Sequence, residues 1–260
     1  MEVATSVNHF QSIADKHSNK VSMESIGNAE GEGLFKIVIS KWQRQRQQNG
    51  RTPRMRAVIA SGVHGNEPIS NVALANVIEA VIKRDDLLEK FEFVTYPLVN
   101  LYGLKQGIRR TRDCKDLNRS FQDGEWTAIS RILSKSIQEE RQFSFGLDLH
   151  GSGKQGIFII KNQKDDDGLA FSALAKIDHS DLQKSNNDTY PGKCGGYTML
   201  SPGEAISRNQ GTLKSFFAKC GIPYCYTFEY PKVQSLEKQV TLMTDLVLAY
   251  FNASDRHFFH

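Results

Sequence analysis

Residues 57–68 read Ala57-Val58-Ile59-Ala60-Ser61-Gly62-Val63-His64-Gly65-Asn66-Glu67-Pro68, an uncharged apolar run that breaks into a turn carrying a histidine and a glutamate three residues apart. The Val, Ile and Ala side chains predict a buried strand, Gly62 and Gly65 permit a tight turn, and Pro68 suits the first turn of a helix. His64 and Glu67 then sit on the connection, where side chains can converge on a cleft. Imidazole nitrogen and carboxylate oxygen are both Zn²⁺ donors, and a catalytic zinc takes three protein ligands while leaving a position for water. By itself H-x-x-E is weak, because most such pairs on exposed turns are merely solvated.

A third donor is offered by Phe145-Gly146-Leu147-Asp148-Leu149-His150-Gly151-Ser152-Gly153, a second apolar run that ends in a histidine followed by glycines. Strand alternation puts Asp148 and His150 on one face. A histidine bonded to backbone at a strand end is the ordinary alternative. Two strand-to-turn histidines, one with a nearby glutamate, favour a metal. His9, His17, His179, His257 and His260 lie in polar or terminal contexts and are read as structural or surface groups.

The surrounding chain predicts an α/β fold. Apolar periodicity and turn residues indicate helices over 8–17, 68–82, 126–140, 208–219 and 233–251, and strands over 34–39, 55–60, 91–100, 146–149, 156–160 and 223–228. A hairpin or loop is expected over 41–56, a polar loop over 102–123 and a surface excursion over 161–202. Strands alternating with helices imply a three-layer α/β/α arrangement around a mixed, largely parallel sheet, whose ligands gather at the carboxyl ends of strands. His64 and His150 are both placed there.

Composition narrows the function. A chain of 260 residues with 39% hydrophobic and 24% charged residues can bury one α/β core, so a single domain over 1–260 is expected. The net charge of +4 is mild and the Lys and Arg residues are scattered, which argues against nucleic acid. No apolar stretch approaches the roughly 20 residues that span a bilayer, and residues 1–20 lack the apolar core of a signal peptide. The expectation is a cytoplasmic protein with no membrane partner. Cys114, Cys194, Cys220 and Cys225 form no C-x-x-C pair and are read as buried or incidental thiols.

Two further segments carry candidate chemistry. The loop Ile108-Arg109-Arg110-Thr111-Arg112-Asp113-Cys114-Lys115-Asp116-Leu117-Asn118-Arg119 concentrates guanidinium forks that match a substrate carboxylate. Arg109 reads as part of a solvated basic loop, whereas an Asn118 amide beside the Arg119 fork can grip both oxygens of a carboxylate. In Tyr224-Cys225-Tyr226-Thr227-Phe228-Glu229-Tyr230-Pro231 a carboxylate stands in apolar and aromatic surroundings, which raise its pKa and suit it to proton transfer.

With these residues in order, the chain resembles the zinc carboxypeptidase family of the A and B type, and the related succinylglutamate desuccinylase and aspartoacylase group. The likeness runs over most of the chain and rests on Val21 to Gly27, the H-G-N-E-P turn, the loop 100–121 with D-L-N-R, the D-L-H strand and T-F-E. It implies one Zn²⁺ per chain held by His64, Glu67 and His150, a terminal carboxylate held by Asn118 and Arg119, and Glu229 as general base and acid. An arginine upstream of the Asn-Arg pair polarises the scissile carbonyl in this family, and Arg112, then Arg110, are the matches. Asp116 matches the residue that orients a zinc histidine. Tyr197, with Tyr190 in reserve, matches the tyrosine that covers the substrate.

The resemblance implies an amide hydrolase acting beside a free carboxylate through zinc-activated water. About thirty residues follow Glu229 and read as one helix, where the aspartoacylase group carries a further β-rich domain. That makes a metallocarboxypeptidase the expectation. The short interval between Glu67 and His150 and the H-G-N-E wording stand nearer the N-acyl amino acid deacylases, so the substrate is expected to be a peptide or an N-acyl amino acid. A non-catalytic binding protein is the remaining alternative.

Overall fold

The opening strand is uncharged because the sheet it belongs to is covered on both faces. In a computed structural model, which describes residues 6–41, 55–140, 142–163, 166–184 and 196–260, this strand spans Met55–Ser61 (β3). Its successive side chains enter opposite layers: Ala57 and Ile59 join one apolar core, Val58 and Ala60 the other. Most of the segment expected as a hairpin or loop over 41–56, together with Tyr190 and Cys194, lies outside the described residues.

Among the described residues nine strands form one sheet. They are β1 (Val21–Ala29), β2 (Glu32–Ile39), β3, β4 (Phe91–Tyr96), β5 (Phe145–Ser152), β6 (Phe158–Lys161), β7 (Thr198–Ser201), β8 (Glu204–Ile206) and β9 (Tyr224–Pro231), in the order β1-β2-β4-β3-β5-β9-β6-β8-β7. The parallel run β4-β3-β5-β9 holds the centre. On its flanks β2 meets β4, and β6 meets β9, in antiparallel register. The sheet is thus mixed, with its long parallel run in the middle and one further parallel pair, β6 with β8, towards an edge.

Helices cover both faces. Helices α1 (Val7–Lys16), α2 (Ile69–Ile82) and α3 (Asp85–Leu88) add Phe10, Ile78 and Leu87 to the core that contains Ile59 and Leu147. Further along, α6 (Leu169–Leu174) and α8 (Leu236–Phe259) bring Leu169 and Tyr250 to the same core. Helices α5 (Ala128–Glu139) and α7 (Leu213–Lys219) pack Leu133 and Phe217 against Val58 and Val94 on the other face. Among the described residues no helix is long and apolar enough to cross a membrane.

Several elements differ from the sequence-based expectation. The expected loop over 102–123 begins with α4 (Leu101–Gln106), and the expected surface excursion over 161–202 contains α6 and β7. Each of these short helices has fewer than two turns, too few for a 3.6-residue period to register. They are held by tertiary burial instead, with Leu169, Ala170, Ala173 and Leu174 all inside the core. Strand β1 was not among the expected strands, because its side chains range from buried Val21 to exposed Glu24 without strict alternation, and the structure holds it in a hairpin with β2. Helix α7 begins at Leu213 because the Thr212 side chain caps it, accepting from the Ser215 amide.

The turn after β3 needs both its glycines. Gly62 has φ +72°, and a Cβ there would stand 2.8 Å from Asn71 Oδ1. A Cβ on Gly65 would lie 2.0 Å from the carbonyl carbon of Gly103 on α4, a backbone contact that no rotamer change relieves. Gly65→Ala is therefore expected to lower folding stability by about 2–3 kcal/mol through forced separation of the turn from α4. Urea denaturation of the metal-free chain measures this, and an unchanged midpoint would contradict the contact.

Candidate metal centre and catalytic cleft

The carboxyl ends of β3, β5 and β9 lie side by side, and the parallel register aligns His150 with Glu229. The turn after β3 carries His64 and Glu67 to the same point. His150 Nδ1 lies 3.0 Å from His64 Nδ1 and 3.0 Å from Glu67 Oε2, and His64 Nδ1 lies 3.3 Å from Glu67 Oε1. Donors around a tetrahedral zinc, with bonds of about 2.0–2.1 Å, stand roughly 3.3–3.4 Å apart. The three buried groups therefore fit a divalent ion with little rearrangement, and they form one metal-capable cluster among the described residues.

The outer nitrogens of both histidines face carboxylates. His64 Nε2 is 3.2 Å from Asp116 Oδ1, and His150 Nε2 is 2.9 Å from Asp148 Oδ2. A proton on each Nε2 leaves both Nδ1 lone pairs free for a metal, the arrangement by which neighbouring carboxylates fix tautomer and basicity. Burial opposes charge on His150, but Asp148 and Glu67 together outweigh it and raise the imidazole pKa well above its ordinary value. Burial likewise pushes the Glu67 carboxyl up, and hydrogen bonds with His150 and His64 overcome it and hold the group well below the usual range. Glu67 Oε2 also accepts from the Gly151 amide at 3.0 Å, while Oε1 accepts from Lys232 Nζ at 2.8 Å.

A cavity of about 410 Å³ opens over this cluster. Glu229, Asn118, Arg119 and Tyr197 all line it, so the structure brings these four expected residues together with His64, Glu67 and His150. Burial, with help from the Glu67 charge and against that of His150, pushes the Glu229 carboxyl up to about 7. Asn118 is anchored through its amide oxygen, which accepts from the Leu213 amide at 2.8 Å, and its Nδ2 lies 3.1 Å from His150 Nε2. Arg119 donates through NH1 to the Asn118 carbonyl, while its buried Nε has no hydrogen-bond partner. The Tyr197 ring packs on Phe158 with centroids 5.0 Å apart.

The arginine assignment changes. Arg112 lies outside the cavity lining: its guanidinium covers the Tyr102 ring at 4.7 Å and its backbone amide donates to Glu30 Oε2. Arg110 is also outside, exposed, with NH1 donating to the Cys114 carbonyl. The arginine that reaches the cavity is Arg109, which was read as a solvated loop residue. Its Nε and NH2 donate to Asp116 Oδ2 at 3.1 and 2.9 Å, and NH1 stands 3.2 Å from His64 Nδ1 and 3.8 Å from Glu67 Oε1. Position in a loop decides which of several neighbouring arginines points inward, and spacing does not reveal it.

Strand alternation puts Asp148 on the face of His150 without giving it a role, and two other groups at the site were missed. Lys214 and Lys232 had no signal, since a lysine in a short amphipathic helix or after a strand normally points to water.

The chain belongs to the succinylglutamate desuccinylase/aspartoacylase catalytic domain family, whose model matches residues 53–189. No curated protein matches it in sequence. Its fold is similar to that of a metallo-carboxypeptidase from Burkholderia cenocepacia, with a TM-score of 0.71 and 13% identity over 97% of this chain and 70% of that one. It is similar too to carboxypeptidase A from Helicoverpa armigera, with a TM-score of 0.69 and 15% identity over 97% and 73% of the two chains. A metallo-carboxypeptidase from Pseudomonas aeruginosa, in complex with (2-guanidinoethylmercapto)succinic acid, gives a TM-score of 0.67 and 14% identity over 97% and 69%.

Proposed function

We propose that this chain is a zinc-dependent hydrolase that cleaves an amide bond beside a free carboxylate, in the manner of a metallocarboxypeptidase. The observation that carries this reading is the convergence of three metal donors, 3.0–3.3 Å apart, on one cavity wall with Glu229 beside them. When bound by His64, Glu67 and His150, zinc would supply a Lewis acid and lower the pKa of a water from 15.7 to about 7.

The protein groups divide the remaining work. Glu229 takes a proton from the attacking water and returns it to the leaving nitrogen. Arg109, oriented by Asp116, donates to the carbonyl oxygen as negative charge develops there. Asn118 and Arg119 hold the terminal carboxylate, with the unsatisfied Arg119 Nε as a donor in reserve. Tyr197 closes the cavity over the substrate. The anchoring of Asn118 to α7 fixes this grip relative to the metal cluster.

A second reading, an N-acyl amino acid deacylase, is favoured by the family match. It uses the same groups and differs in what lies on the acyl side of the bond. A metal assay joined to a substrate panel separates the two. The expected result is about one zinc per chain, hydrolysis of peptides at the C-terminal residue, and loss of that activity on chelation. Activity confined to N-acyl amino acids would replace the first reading by the second. Zinc absent after metal-free purification and reconstitution would refute both.

A further inference from the structure

The carboxylate of Glu67 is already held by a cation. Lys232 Nζ donates to Glu67 Oε1 at 2.8 Å, and the Glu67 side chain is only 2% exposed. His64 Nδ1 approaches the same oxygen at 3.3 Å, so the ammonium sits on an oxygen that belongs to the metal cluster. Arg109 NH1 stays 3.8 Å from it, beyond hydrogen-bond reach. A carboxylate oxygen has about two lone-pair sites, and Lys232 takes one of them.

The backbone fixes Lys232 in this position. It directly follows β9, its amide donates to the Ser152 carbonyl at 2.9 Å, and its own carbonyl accepts from Gln239 Nε2 at 3.2 Å. The residue is thereby tied both to the end of β5 and to α8. Lys214, 2% exposed, lines the cavity and donates to the Ser207 carbonyl, whereas Lys232 lies outside the cavity lining with its side chain 32% exposed. Contact with substrate does not account for Lys232, and no step of the proposed reaction uses it.

Two opposed effects on the metal follow from the Lys232 contact. A partner that orients a metal ligand strengthens the site, and its loss typically costs about 10- to 100-fold in affinity. A cation on the same carboxylate does the reverse, because it draws on the charge that the metal needs and repels a second cation. Orientation is already supplied by other groups: Glu67 Oε2 accepts from the Gly151 amide at 3.0 Å and lies 3.0 Å from His150 Nδ1. The charge of Lys232 has no such substitute, so the second effect dominates.

Resting on the hydrolase reading above, we infer that Lys232 is a positioning residue acting through Glu67, an internal counter-ion that keeps the metal-free site assembled and weakens its hold on the metal by sharing the carboxylate. Without a metal, the ammonium offsets the cost of a buried carboxylate. With a metal, the same ammonium is a competitor.

Zinc affinity, measured by competition with a chromogenic chelator, and urea unfolding of the metal-free chain test this on the full chain and three variants. Lys232→Met is expected to bind zinc about 10-fold or more tightly, the scale of one charge-assisted hydrogen bond, while its metal-free form unfolds at lower urea. Lys232→Gln offers a donor without the charge and should follow Lys232→Met in zinc affinity, so the affinity arm stands even if the Met variant fails to fold. Lys232→Arg keeps the cation and should follow the unsubstituted chain. A lysine that served packing alone would lower stability and affinity together, or leave affinity untouched. Zinc binding by the Met and Gln variants that is equal to or weaker than that of the unsubstituted chain overturns the inference. No zinc uptake by any of the chains overturns the inference and the hydrolase reading together. Affinity that depends on Lys232 in a chain that hydrolyses no substrate would uphold the inference and sink the hydrolase reading, whereas hydrolysis with affinity indifferent to Lys232 would do the reverse.

Discussion

Glu229→Gln is expected to leave zinc content near one per chain while lowering turnover by about 10²- to 10⁴-fold, the range lost when a positioned acid-base group is removed. The substitution keeps the shape of the side chain, so packing within β9 and against the metal cluster is preserved. Glu229 stands opposite His150 in register but is not one of the three converging donors. A carboxylate there can accept a proton from water and return it to nitrogen; an amide can do neither. Metal analysis and steady-state kinetics on the same preparation give the result. Retained turnover would remove Glu229 from the mechanism, and loss of zinc would recast it as a metal ligand or as a support for one.

The candidate metal donors were legible because each is tied to a local pattern. An apolar run that ends in a glycine-bounded turn marks a strand end, and both His64 and His150 follow such runs. The central parallel strands were legible for the same reason, since burial on both faces demands uncharged sequence. What the sequence hides is direction within irregular segments. Arg109, Arg110 and Arg112 are chemically alike and within four residues, yet they point to Asp116, to a backbone carbonyl and to the Tyr102 ring respectively. The flanking strands β7 and β8 form a hairpin that joins the sheet through the distant β6, and short strands of three or four residues carry too little alternation to read. Lys214 illustrates the remaining limit: its burial follows from where α7 docks, and no residue near it in sequence announces that docking.

Arg109 carries the other large prediction. Arg109→Ala is expected to lower kcat by about 10²- to 10³-fold, the loss seen when one donor to a developing oxyanion is removed, with a smaller change in KM. Asp116 bonds its Nε and NH2, which leaves NH1 directed at the His64 and Glu67 end of the cavity. Because the guanidinium also lies against His64, the variant must be assayed for zinc, and a kcat loss at full zinc occupancy isolates the effect on the reacting carbonyl. Arg109→Lys keeps the charge but cannot hold Asp116 with two nitrogens while presenting a third, so only partial recovery is expected. Arg112→Ala, which removes a contact with the Tyr102 ring outside the cavity, should leave turnover close to that of the unsubstituted chain. If instead Arg112→Ala abolishes turnover and Arg109→Ala does not, the loop must rearrange on substrate binding to bring Arg112 inward, and the arginine favoured by resemblance to the zinc carboxypeptidases would be restored.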